Sequence, residues 1–246
     1  GNHALLSGGG IYNDEGIVSL SNVSILTNMA DSDGGGLYNA SAGQVTITNG
    51  FFDDNSANRD GGAIANFGIG LSLTGTTIRD SKALRNGGGL FNDQEEGTVS
   101  LISTSLINNQ AVAGAGIYNQ ELGIINLDLS NIVNNTASTN GGGIFNTGDA
   151  TLNLQRTTID GNTAANDGAG IFNADNAQLN LFNSTVSNNT ATHFGGGVYN
   201  SSVAIADIVN VTISGNEAAG GGGVYNNVEG SMEITNATIF NNTAIT

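Results

Sequence analysis

The chain reads as all-β: a right-handed parallel β-helix, or solenoid, of about nine coils of 26–27 residues, with three short strands per coil. Three observations predict this. A glycine block followed by an aliphatic residue, an aromatic residue (Ala65 in the third copy) and Asn recurs nine times. The blocks begin at Gly8, Gly34, Gly61, Gly87, Gly114, Gly141, Gly168, Gly195 and Gly221, at spacings of 26 or 27. Between them runs a second pattern of two alternating apolar residues, a small residue, a further apolar residue and a closing Asn-x-Ala; residues 18–30, 152–164 and 232–244 show it. Within a repeat the apolar period is two, as Val18 and Leu20 alternate with Ser19 and Ser21, which is a strand with one buried face.

Repeats this short bury a core only by stacking on one another. Strand spacing of about 4.8 Å along the hydrogen-bond direction makes nine coils a rod about 43 Å long, and parallel crossovers favour the right hand. The repeats fill residues 1–246 as a single domain and leave no room for a linker. A leucine-rich repeat is excluded because its L-x-x-L-x-L frame does not occur, and the nine-residue Ca²⁺ β-roll because G-G-x-G-x-D does not occur. Propeller blades are longer, at about 40 residues. Asn2-His3-Ala4 matches the Asn-x-Ala step, as does Asn242-Thr243-Ala244, so a whole number of coils is spanned. Two organisations are expected from this: a segment of a longer array, or a filament subunit that stacks end to end.

Stacking turns each column of equivalent residues into a ladder. Ile11, Leu37, Ile64, Leu90, Ile117, Ile144, Ile171, Val198 and Val224 form one apolar ladder. Ile25, Phe52, Ile78, Leu106, Ile132, Ile159, Val186, Ile213 and Ile239 form another, and together they are the expected core. Asn13, Asn39, Asn66, Asn92, Asn119, Asn146, Asn173, Asn200 and Asn226 make an unbroken amide column. A second column runs through Asn28, Asn55, Asn109, Asn135, Asn162, Asn189, Asn216 and Asn242, with Ser81 in one coil. An amide carries donors and an acceptor, so stacked Asn bonds along the rod and to turn backbone, and Asn also tolerates left-handed corners. The glycine blocks mark corners that need positive φ or close backbone approach.

The residue after each core aliphatic points outward: Tyr12, Tyr38, Phe91, Tyr118, Phe145, Phe172, Tyr199 and Tyr225, a row that Ala65 breaks. These rings either stack on one another or form an exposed stripe for a partner or glycan. All five tyrosines of the protein lie here.

The chain holds 21 acidic and 5 basic residues, for a net charge of −16. That sign repels phosphate backbones and anionic lipid, which argues against nucleic-acid binding. Apolar runs fall short of the ~20 residues of a membrane span, so direct membrane insertion is not expected. With no Cys, disulfides, thiolate metal sites and cysteine nucleophiles are excluded. The acids scatter: Glu15, Glu96, Glu121, Asp149, Asp175 and Glu229 follow the first Asn column, and Asp31, Asp33, Asp60 and Asp167 precede the glycine blocks. They read as solvated turn residues; a local pair has the oxygens Ca²⁺ accepts, but no cofactor and no metal is expected.

An enzyme would need a carboxylate pair, or a base beside a cation, in a break of the repeat. The charged irregularity is Asp53, Asp54, Arg59, Asp60, Arg79, Asp80, Lys82 and Arg85, in which Asp54 and Asp80 are the best catalytic candidates. A surface ion-pair cluster is the default explanation of them, and coils varying by one residue leave no loops to build a cleft, so an enzyme is not expected. His3 and His193 are far apart and single. Ser24, Thr77, Ser105, Thr158, Thr185, Thr212 and Thr238 form a hydroxyl column of the kind an ice-binding solenoid uses, but Phe51 and Asn131 interrupt it. The next outward column, Ser21, Thr48, Thr74, Ile102 and Asp128, is mixed.

These residues resemble the polymorphic outer-membrane protein repeats of bacterial surface β-helix proteins, marked by GGA[ILV] and FxxN. Residues 61–64 read GGAI and 52–55 read FDDN; other coils carry GGG, and most carry IxxN. The resemblance implies a secreted or surface-displayed chain acting in adhesion, with surface proteins, glycans or its own copies as partners. The translocating C-terminal barrel of that family is not within these residues.

Overall fold

In the computed structural model, which describes residues 1–94 and 97–245, the backbone winds into a parallel β-solenoid of about nine coils with four faces. One coil shows the order. Ile144–Asn146 belongs to the asparagine sheet, Thr151–Gln155 to the long sheet, Thr158–Asp160 to the short sheet and Thr163–Ala164 to the alanine sheet. The first three sheets have nine strands and the alanine sheet ten. Among the described residues there is no helix.

Three strands per coil were expected and four are present. The fourth is the two-residue strand of the Asn-x-Ala step, as at Met29–Ala30 and Thr190–Ala191. Two residues are too short for alternation to register in a sequence, and such a strand persists because parallel neighbours hold it on both sides.

Register is strict. Ile144 pairs with Ile171, Phe145 with Phe172 and Asn146 with Asn173, so like stacks on like. Alternation in the long sheet holds, with Val45 and Ile47 buried between exposed Gln44, Thr46 and Thr48. Its inward residues close on the two expected apolar ladders into one continuous core. In the end coils the same columns are open: Ile11 is half-buried and Ile239 is 50 % exposed.

Four corners divide the faces, and each uses a left-handed residue. Asn22, Asn49, Asn183, Asn210 and Asn236 turn the long sheet into the short one; Asn108, Asn134, Asn188 and Asn241 turn the short into the alanine sheet. Glu15, Glu121, Asp175 and Glu229 lie left-handed between the asparagine and long sheets. The expectation that the ladder asparagines themselves take this conformation is corrected: their neighbours do, which leaves the ladder side chains pointing inward. The corner before the asparagine sheet is always the first glycine of the block, with φ between 56° and 72°.

Candidate functional site

The amide columns form rails through the interior. From Asn13 to Asn226 each Nδ2 donates to the Oδ1 of the next coil at 2.8–2.9 Å. The second proton goes to turn backbone, as from Asn119 to Gly123 O at 2.9 Å and from Asn200 to Ala204 O at 3.0 Å. In the second rail each Oδ1 accepts both the main-chain and the side-chain N–H of the preceding coil. Asn162, for example, receives Asn135 N at 2.9 Å and Asn135 Nδ2 at 3.0 Å, while its own Nδ2 reaches Ile132 O. Ser81 keeps the main-chain half of that link through its hydroxyl. Both the donors and the acceptor of most rail amides are thus used, as at Asn119 and Asn162, which is the condition for burying an amide. Gln94, buried beside the first rail, accepts from Asn66 and leaves its own Nε2 unpaired among the described residues.

Two further rails escaped sequence reading. Thr76, Thr104, Ser130, Thr157 and Ser184 are buried; Ser130 and Ser184 accept the backbone N–H of the preceding coil at 3.0–3.1 Å. The sequence signal there was only a small residue. Before the glycine blocks, Asp33, Asp60, Asn140 and Asp167 accept the backbone N–H of the next coil at 2.9–3.1 Å. Asp33 and Asp60 are thus buried ladder groups, not solvated turn acids, and that expectation is corrected. Glu15, Glu121, Asp149, Asp175 and Glu229 are exposed as expected, and Glu96 lies outside the described residues.

Burial holds the Asp60 carboxyl above its ordinary value of 3.8, against the opposing pull of Arg85 and the Asn86 N–H. A folded-state pKa raised this way makes stability fall as pH rises from 3.8 through the raised value. Asn performs the same bond in this column at Asn140. Asp60→Asn is therefore expected to raise the melting temperature at pH 7, with the advantage vanishing below pH 3.8; thermal unfolding at both pH values reads it.

The aromatic row is continuous, not broken. Where Ala65 leaves a gap, Phe67 folds in from the following turn, 5.3 Å from Tyr38 and 5.6 Å from Phe91. Successive ring centroids from Tyr12 to Tyr225 lie 4.7–5.7 Å apart. Phe91, Phe172 and Tyr199 are buried, Tyr38, Tyr118, Phe145 and Tyr225 half-buried, and only Tyr12 of the row is exposed. Burial pushes the Tyr118 hydroxyl up to about 12. The flat ring faces are spent on one another, so of the two expected alternatives the rings take self-stacking, which leaves only ring edges for an exposed stripe.

The charged irregularity separates into two sets. Arg79 is held by Asp53 through two bonds of 2.9 and 3.0 Å, approaches Asp80 at 3.5 Å, and lies over the Phe51 ring. Arg59 and Arg85 sit on another corner, 3.7 and 3.6 Å from Asp33 and Asp60. Asp54 and Asp80 are exposed corner residues with φ of 52° and 51°, which gives them a backbone role. Among the described residues no three His, Asp or Glu side chains converge to hold a metal ion. The hydroxyl column is in register from Thr158 through Thr185 and Thr212 to Thr238. The other outward column of that sheet is mixed, with Arg79, Ile107, Val133 and Asp160.

Residues 183–201 match the Chlamydia polymorphic membrane protein repeat. This stretch carries Asn189 of the second rail, the glycine corner at Gly195 and Asn200 of the first rail, the parts that define one coil. No curated protein and no solved structure matches the chain. The repeat and the solenoid together suggest a bacterial surface β-helix protein.

Proposed function

We propose that this protein is an extracellular rod of the bacterial cell surface, a stalk, adhesin or fibre component that acts by presenting a long regular face and performs no catalysis. The observation that carries this reading is the unbroken amide rail, which ties all nine blocks into one axis. A column stiffened from within suits a chain whose task is reach. The repeat shared with the Chlamydia polymorphic membrane proteins supports the surface location. End-to-end assembly belongs to the same reading: Ile239 of the second apolar ladder is 50 % exposed in its end coil while its neighbour Ile213 is fully buried, and a further coil of this pattern would cover it.

Electron microscopy of the purified chain is expected to show rods about 43 Å long, or multiples of that length as concentration rises. Round particles would refute the rod. Beads coated with the chain are expected to adhere to host-cell or bacterial surfaces. Release of reducing ends from any of a panel of polysaccharides would instead establish the enzyme reading.

A further inference from the structure

The outer face of the long sheet changes character partway along the rod. Its central outward column begins as Ser19, Thr46, Ser72 and Ser100, becomes Asn126, Asn153 and Asn180 in three successive coils, and ends on the acids Asp207 and Glu233. Asn153 Nδ2 donates to Asn126 Oδ1, and Asn180 Nδ2 to Asn153 Oδ1, both at 2.7 Å. This ladder lies outside the core, where water would satisfy any polar side chain. Asn is also disfavoured within strands relative to Thr. The fold therefore has no need of these amides, in contrast to the buried rails.

Alongside them lies a depression of about 280 Å³, floored by the backbone at Leu127 and Leu154 and walled by Asp128, Gln155 and Phe182. Arg156 is bound to Asp128 through both carboxylate oxygens, which holds the Asp128 carboxyl below its usual value and cancels its charge. The depression is thus neutral on a chain of net charge −16. It offers the half-buried ring of Phe182 beside the amides of Asn126 and Asn153, one per coil. Ring faces take the apolar C–H face of a sugar, and spaced amides take its hydroxyls.

We propose that this groove binds a neutral, extended polysaccharide lying along the rod, with Asn126, Asn153 and Asn180 bonding its hydroxyls and Phe182 packing on one pyranose ring. The proposal deepens the adhesive reading given above and rests on it: it supplies the class of ligand that a surface rod would hold. The anionic surface beyond the groove selects against sulfated or carboxylated chains.

The test is titration calorimetry of the whole chain with cellohexaose, chitohexaose and mannohexaose, and with a hyaluronan hexasaccharide as the anionic probe. At least one neutral probe is expected to bind. Phe182→Ala and Asn153→Ala should each weaken it about tenfold, a loss near 1.4 kcal/mol. Thr212→Ala, on the short sheet, should leave affinity unchanged, and all three variants should keep the parent circular dichroism. The proposal is overturned if no neutral probe binds, if binding ignores the two groove substitutions, or if hyaluronan binds more tightly. Rods in micrographs of the same preparation would then leave the surface-rod reading standing without its glycan.

Discussion

Asn146→Ala is expected to destabilise the solenoid by about 2–5 kcal/mol, among the largest effects of any polar substitution in the chain. Asn146 Oδ1 accepts from Asn119 at 2.9 Å, and its Nδ2 donates to Asn173 at 2.8 Å and Gln178 O at 3.2 Å. Truncation leaves a buried donor on one side and a buried acceptor on the other, each costing about 1–3 kcal/mol, with no water to replace the amide. Asn153→Ala, on the outer face of the same coil, removes an amide in contact with solvent and should cost less than about 1 kcal/mol. Urea unfolding followed by circular dichroism compares the two. Because repeat arrays lose stability locally, amide hydrogen exchange should show the loss of protection for Asn146→Ala concentrated in the coils on either side. Equal effects for the two variants would mean that the interior rail is not what holds the coils together.

The second large effect separates space from conformation at the corners. Gly141 and Gly161 have the same φ of 65°. A Cβ on Gly141 would lie 2.7 Å from Ile144 O and 2.8 Å from Phe145 Cβ, where the aromatic stack and the next strand leave nothing free to move. On Gly161 it would meet the Asn134 side-chain oxygen, which is exposed and can rotate away. Equivalent corners hold Asn134 and Asn188 at positive φ. Gly141→Asn is therefore expected to cost about 3–5 kcal/mol, from backbone strain plus overpacking, and Gly161→Asn within about 1 kcal/mol. Midpoints of urea unfolding decide it; similar losses would show that positive φ alone requires glycine at the block. The second glycine has no positive φ, and Ala115 and Ala169 fill that place fully buried in two coils, but in the intervening coil a Cβ on Gly142 would lie 2.4 Å from Thr163 O.

Repetition made most of the fold legible before any coordinates. A period of 26–27 places like residues over like, and a strand that pairs with its own copy has its register set by that period. Both amide rails follow from this alone, because an Asn column inside a stacked coil has no partner except the next Asn and the turn backbone. Phe67 shows where the reasoning stops: it is off the aromatic column by two residues, and only the path of the turn brings its ring into the gap at Ala65. The buried Asp33 and Asp60 show the same limit, since acids before a glycine look solvated until the corner folds over them. Arg79 likewise chooses Asp53 rather than Asp54 because adjacent strands set them in register, while Asp54 turns away at its corner.

One-dimensional order thus sufficed for the columns, their spacing and the inward or outward sense of each strand, because these depend only on period and alternation. Contacts between different columns depended on the angle at which each corner redirects the chain, a property of backbone conformation that residue types leave open. The two-residue alanine strand, the ring filling the aromatic gap and the groove beside Phe182 all belong to that second kind.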